Sequence, residues 1–141
     1  AFKPSILTVS LGWDDSFQKF ESGEAPIMVS YATDGAYSMH YYGESVYMTI
    51  IPEGRVYVQI EGAGIIRWTK NLHDAEMFMD FLLSEDFQRH IPLNQWMFPV
   101  IDVEMPPAFD YAVKPEKILK LSAEVDLSEL ISKWEAVIYE R

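Results

Sequence analysis

The stretch Ile91-Pro92-Leu93-Asn94-Gln95-Trp96-Met97-Phe98-Pro99-Val100 sets a large indole between two prolines. Proline fixes its own φ and biases the residue before it toward extended backbone. His90-Ile91-Pro92 is therefore expected to end the preceding helix, and Phe98-Pro99 to stiffen the exit. On this reading Trp96 stands on a short rigid loop kept out of a helix. A tryptophan so placed is either a plug of the core or a binding surface, and rigid loops carrying aromatics are common ligand platforms. Two further segments, around Trp13 and from Tyr31 to Tyr37, offer aromatics in a similar strand-to-loop setting.

Outward from this stretch, local patterns divide the chain into strands and helices. Before it, Asn71 is placed to cap an amphipathic helix in which Ala75, Phe78, Met79, Leu82 and Leu83 recur at three- and four-residue spacing, and a short helix over 85–91 follows. After it, prolines 106, 107 and 115 break residues 102–121 into turns and short elements. A C-terminal helix then carries Leu127, Leu130, Ile131, Trp134, Val137 and Ile138 on one face, capped by Asp126 or Ser128. Toward the N-terminus, Ile6 to Ser10 and Ala25 to Tyr31 read as strands. Between them Asp14-Asp15 and Ser16 are placed to cap a short helix with Phe17 and Phe20 on one face and Gly23 as its stop. Thr33 and Asp34 are good helix-start residues. Val46 to Ile51 and Arg55 to Ile60 are β-rich runs around the turn signal Pro52-Glu53-Gly54, expected as a hairpin or as two consecutive strands. The alternation predicts an α/β layered domain rather than a sandwich or a bundle.

Composition narrows the function classes. A chain of 141 residues with 49% hydrophobic content can bury one core, so one domain is expected and disorder is not. The net charge of −11 comes from dispersed acids, which disfavours a nucleic-acid partner because phosphate binding needs a basic footprint. Without cysteine there is no disulfide, thiolate metal site or thiol nucleophile. No apolar run reaches the roughly 18 to 20 residues of a membrane helix. The first residue, Ala1, is expected to mark a processed or excised piece of a longer protein.

Catalytic signatures are missing from the sequence. There is no nucleophile elbow, and Glu61-Gly62-Ala63-Gly64 lacks the third glycine of a phosphate loop, so a bend or a close backbone approach is expected there. His40, His73 and His90 have no paired ligand spacing and are expected at the surface. His40 with Tyr41-Tyr42 is either a donor set for a ferric ion or a partly exposed packing group in a loop before Gly43. Trp13, Tyr31, Tyr37 and Trp96 are each either core or ligand contacts. As a set they suit a flat, cationic, heteroaromatic ligand, whose planes stack on rings and whose charge is attracted by π-faces.

Four segments together carry a resemblance: Gly12-Trp13; Ser30-Tyr31-Ala32-Thr33-Asp34-Gly35-Ala36-Tyr37; Glu53-Gly54 with Gln59-Ile60-Glu61; and Ile91 to Val100 with its Pro-x-x-x-Trp-Met-x-Pro-Val pattern. In sequence and spacing, nearly end to end, the chain resembles the thiamine-binding periplasmic proteins of bacterial uptake transporters. The resemblance implies a two-lobed solute-binding fold of type II character. Each lobe is a mixed sheet with helices on both faces, and the ligand lies in the cleft. It implies ligand contacts at Trp13, Tyr31, Tyr37 and Trp96. It also implies that residues 1–141 are the C-terminal part of such a protein, serving one lobe or both, with the upstream lobe absent. Where that family reads Ser-Pro between the two tyrosines, this chain has Asp34-Gly35. The Asp34 carboxylate either faces a cationic thiazolium, favouring free thiamine over its phosphates, or merely caps the following helix.

The reading that follows is an extracytoplasmic receptor, periplasmic or extracellular. It captures thiamine or a close analogue as a transported ligand, uses no cofactor or resident metal, is not an enzyme, and delivers its cargo to an ABC-transporter permease. Attachment to the membrane would run through the transporter or through a lipid anchor on the upstream part. The rivals are a ferric-ion or other small-solute receptor of the same fold and a stand-alone interaction module.

Overall fold

The computed structural model describes residues 3–122 and 124–139. The chain divides into two compact units, one of Ala1–Ser30 with Lys120–Arg141 and one of Tyr31–Leu119.

In the first unit, α1 spans Trp13–Glu21. Gly12 provides its extended N-cap, and Asp14 and Asp15 sit in the first turn, where negative charge complements the helix dipole. Phe17 is the buried residue of this helix, and Gly23, at φ 79°, turns the chain away at its end as the sequence predicts. The Lys19 ammonium lies 2.9 Å from the Asp15 carboxylate one turn earlier. That hydrogen bond holds the Asp15 carboxyl below the usual carboxylate range. The second helix of this unit, α6 (Leu127–Tyr139), is capped by Asp126, whose Oδ1 accepts from the backbone N–H of Ser128 at 2.8 Å and of Glu129 at 3.2 Å. None of its residues is buried. Ile6, Leu7 and Val9 line an open groove of about 360 Å³ with Ile138 and Tyr139.

The second unit runs through α2 (Asp34–Tyr42), β1 (Arg55–Tyr57), α3 (Leu72–Leu82), α4 (Glu85–Gln88), α5 (Ile91–Gln95), a 3₁₀ turn (Pro107–Tyr111) and β2 (Lys117–Leu119). Its centre is the packing of α2 on the 3₁₀ turn. The α2 side of this contact is built from small residues. Gly35, Ala36 and Ser38 are buried, as are Ala108 and Phe109 in the turn. A Cβ on Gly35 would stand 2.4 Å from the carbonyl oxygen of Tyr111, so only glycine allows this approach. The Ser38 hydroxyl donates to the Glu44 carbonyl at 2.7 Å, and the Val113 N–H donates to the Ala32 carbonyl at 2.9 Å, so both ends of α2 are tied down.

The strands depart most from expectation. The described residues contain one sheet, a parallel pair in which Arg55, Val56 and Tyr57 face Lys117, Ile118 and Leu119. The expected hairpin does not form. Pro52–Gly54 is a 3₁₀ turn, and β1 pairs with a segment far along the chain rather than with residues 46–51. Residues 6–10, 25–31 and 46–51 form no ladder. An extended segment becomes a strand only when its N–H and C=O groups meet a partner strand, and these segments instead present apolar side chains outward, Val29 at 98% exposure being the extreme. Helices and a small parallel sheet coexist, but a mixed sheet flanked on both faces is not seen among the described residues.

The Pro92 segment is a second correction. Residues 91–95 are helical, with the fully buried Pro92 in the first turn. There the missing N–H costs nothing, because first-turn donors have no intrahelical acceptor. The helix expected over 85–91 accordingly appears as α4 followed by α5, with Ser84 Oγ capping α4 from Phe87 N at 3.3 Å. Gly62 and Gly64 have open space where a Cβ would stand, so no close backbone approach explains them.

Candidate functional site

The C-terminal end of α5 places Trp96 as its capping residue, with φ 54° and ψ 35°, in the left-handed region that bulky residues rarely enter. The Trp96 N–H donates to the Pro92 carbonyl at 3.0 Å, which closes the helix. Behind this segment, Gln88 is almost fully buried and acts as a double clamp. Its Nε2 donates to the Leu82 carbonyl at 2.7 Å, and its Oε1 accepts from the Val100 N–H at 2.9 Å. The stretch from Trp96 to Val100 is thus fixed at both ends.

Around Trp96 the rings of this unit converge. Tyr37 lies edge-on at a centroid separation of 5.0 Å, His40 edge-on at 5.6 Å and Tyr41 tilted at 5.7 Å. Phe109 is nearly parallel, at 6.2 Å and 3°. Phe98 meets Phe109 edge-on at 5.6 Å, and the Lys114 ammonium stands 5.2 Å from the Phe98 ring centre. Offset and edge-on geometries at these separations are the favourable ones for aromatic quadrupoles. Asp34, Tyr37 and Tyr41 stand at i, i+3 and i+7 of α2, so a carboxylate and two phenol rings share one helix face. The cluster therefore offers aromatic faces and edges with a negative group at one end, a suitable surround for a flat cation.

The residues expected in the site fall in different places. Tyr37 and Trp96 are brought together. Asp34 is the first residue of α2 rather than its cap: the N-cap is Thr33, and no side-chain cap bond is made. Asp34 as the capping residue is therefore corrected, although its carboxylate still suits the positive end of the helix. Tyr31 precedes α2, with its side chain 57% exposed and its carbonyl accepting from the Asp34 N–H at 3.2 Å. Trp13 belongs to the other unit. Its ring stacks on Phe17 at 4.4 Å, and its indole N–H donates to Ser30 Oγ at 2.8 Å. It is the first residue of α1, and Tyr37 lies within α2, so neither stands on a loop.

Sequence reasoning missed Tyr41 and Phe109 as members of the cluster. Tyr41 and Tyr42 are the last turn of α2, ended by left-handed Gly43 at φ 74°, and not a loop pair. The i, i+4 spacing from Tyr37 was the available signal. Phe109 gave none, because the 3₁₀ turn that carries it reads as a proline break. His40, His73 and His90 are all exposed. Among the described residues no group of three or more His, Cys, Asp or Glu side chains is arranged to hold a metal ion.

Comparison with known proteins adds an independent line. The chain is 32% identical over 136 residues to a protein of Salmonella typhimurium named thiamine-binding periplasmic protein, covering 94% of this chain and 41% of that one. A protein of Brucella melitensis with the same name is 38% identical over 117 residues, covering 81% and 35%. One from Haemophilus influenzae is 32% identical over 137 residues, covering 94% and 41%. Among solved structures, a periplasmic thiamin binding protein superposes with a TM-score of 0.68 at 30% identity, over 90% of this chain and 39% of that chain. The chain thus spans about two fifths of the length of these relatives. No protein-family model matches it.

Proposed function

We propose that this chain is part of a periplasmic solute-binding protein that captures thiamine for an ABC importer. The reading is carried by the meeting of Tyr37 and Trp96, centroids 5.0 Å apart, in a chain whose homologues are named for binding thiamine in the periplasm. On this reading residues 1–141 are the C-terminal part of the protein and contribute to a two-lobed fold whose mixed sheet is completed by strands from the rest of the polypeptide. Residues 6–10, 25–31 and 46–51 support this, since they form no ladder among the described residues and carry exposed apolar side chains. Trp13, Tyr31, Tyr37 and Trp96 form the aromatic lining, and the ligand is carried rather than chemically changed. Delivery is to a membrane permease after lobe closure. Asp34, at the end of the α2 stripe, favours the unphosphorylated vitamin, because a carboxylate attracts the thiazolium and repels a phosphate.

Titration calorimetry with thiamine tests the reading on the protein that contains this chain. Trp96→Ala is expected to weaken binding by about tenfold or more, as for a buried aromatic anchor. Trp68→Ala, at a position 88% exposed, should leave it within about twofold. Equal affinities for the two variants remove Trp96 from the site, and absence of thiamine binding by the unaltered protein removes the function itself.

A further inference from the structure

The aromatic cluster contains a ring that neither the resemblance nor the relatives' names assign. We infer that Tyr41 is a further ligand-facing residue and that its π-face selects for a cationic ring; this rests on the function proposed above and deepens it. Tyr41 lies one helical turn beyond Tyr37, with ring centroids 4.7 Å apart, and 5.7 Å from Trp96. It therefore touches both rings of the pair on which the site is built. Its exposure nonetheless remains 58%, so more than half of the residue is open to a ligand while its ring packs on both neighbours.

Its surroundings define what the open surface can take. On the same helix, His40 stands edge-on to it at 5.0 Å and 83°, and also edge-on to Trp96, so the imidazole braces both rings from the side. With Asp34 and Tyr37, Tyr41 completes a stripe along α2 that runs from carboxylate to phenol to phenol. A planar cation lying along this stripe meets negative charge at one end and π-faces along the rest. A neutral ring of the same shape gains the apolar contact but not the electrostatic one. Tyr41 is thus assigned a part in discrimination by charge as well as in affinity.

The test compares thiamine with a thiophene analogue of the same shape that carries no ring charge. Tyr41→Leu keeps apolar bulk and loses the π-face, while Tyr41→Phe keeps the face and loses the hydroxyl. One good cation-π contact corresponds to roughly a 2- to 30-fold change in affinity. Tyr41→Leu is expected to lose thiamine affinity within that range and to lose distinctly less for the neutral analogue, and Tyr41→Phe to recover most of the loss. Circular dichroism of each variant establishes that it is folded. Unchanged thiamine affinity in folded Tyr41→Leu overturns the assignment, as does an equal loss for both ligands, which marks a packing role alone. An unaltered protein that binds neither compound overturns the underlying function, and with it this inference.

Discussion

Two helices, one in each unit, invert what their sequences advertise. α6 has the more regular apolar stripe, from Leu127 through Leu130, Ile131 and Trp134 to Val137, yet none of its residues is buried. α2 has a weak stripe and a polar, glycine-containing first turn, yet Gly35, Ala36 and Ser38 lie at the centre of its unit. Amphipathic patterning states how much apolar surface a helix has to offer. How closely a helix can approach a neighbour is set by the absence of side chains, and for α2 closeness rather than an apolar stripe decides what is interior.

The largest expected effect tests that claim where it is sharpest. Gly35→Ala forces a methyl group to 2.4 Å from the Tyr111 carbonyl oxygen. The gain in helix propensity, about 1 kcal/mol, is set against an overpacking cost of about 3 kcal/mol or more against unyielding backbone. We expect a net loss of about 2 kcal/mol or more in urea unfolding. A neutral or stabilising Gly35→Ala would break the comparison outright.

A somewhat smaller loss is expected for Gln88→Leu, which keeps bulk but leaves the Leu82 carbonyl and the Val100 N–H without their partner. Removal of a buried hydrogen-bonding partner costs about 1–3 kcal/mol. The loss should be accompanied by faster hydrogen exchange at Val100, and unaltered exchange there would show that the clamp does not hold the Trp96 segment.

The smallest effect belongs to the other helix. Ile131→Ser, on the exposed stripe of α6, should change the stability of the 141-residue chain by no more than about 0.5 kcal/mol. A loss above about 2 kcal/mol in the whole protein but not in this chain would sharpen the comparison, because it would show that the stripe is covered by polypeptide from outside these residues.

Legibility in the sequence followed the range of the interactions. α1, α3 and α6 were readable because period and stop signals are local: Asp126 caps α6 and Gly23 turns the chain after α1, although α1 is capped by Gly12 rather than by Asp14, Asp15 or Ser16, and Asn71 stands at the start of α3 without a side-chain cap bond. α5 was misread because the cost of proline depends on its place in the helix, and Pro92 sits where that cost vanishes. The sheet was misread because the alternation in 55–60 specifies a strand but not a partner, and its partner lies at 117–119. In the site, Tyr37 and Trp96 were legible as aromatics but their contact was not. Tyr41 was hidden by taking the end of α2 for a loop, while Asp34, legible as a ligand contact or a cap, follows the cap at Thr33 by one residue.

The left-handed backbone of Trp96 sets backbone strain against ring packing at a single codon. Glycine adopts that conformation without the roughly 1–2 kcal/mol that other residues incur. Glycine also forfeits the ring contacts with Tyr37, His40, Tyr41 and Phe109, so a saturation library at position 96 sorted for resistance to heat reads which side wins: enrichment of glycine means that backbone strain dominates, retention of the indole that packing does.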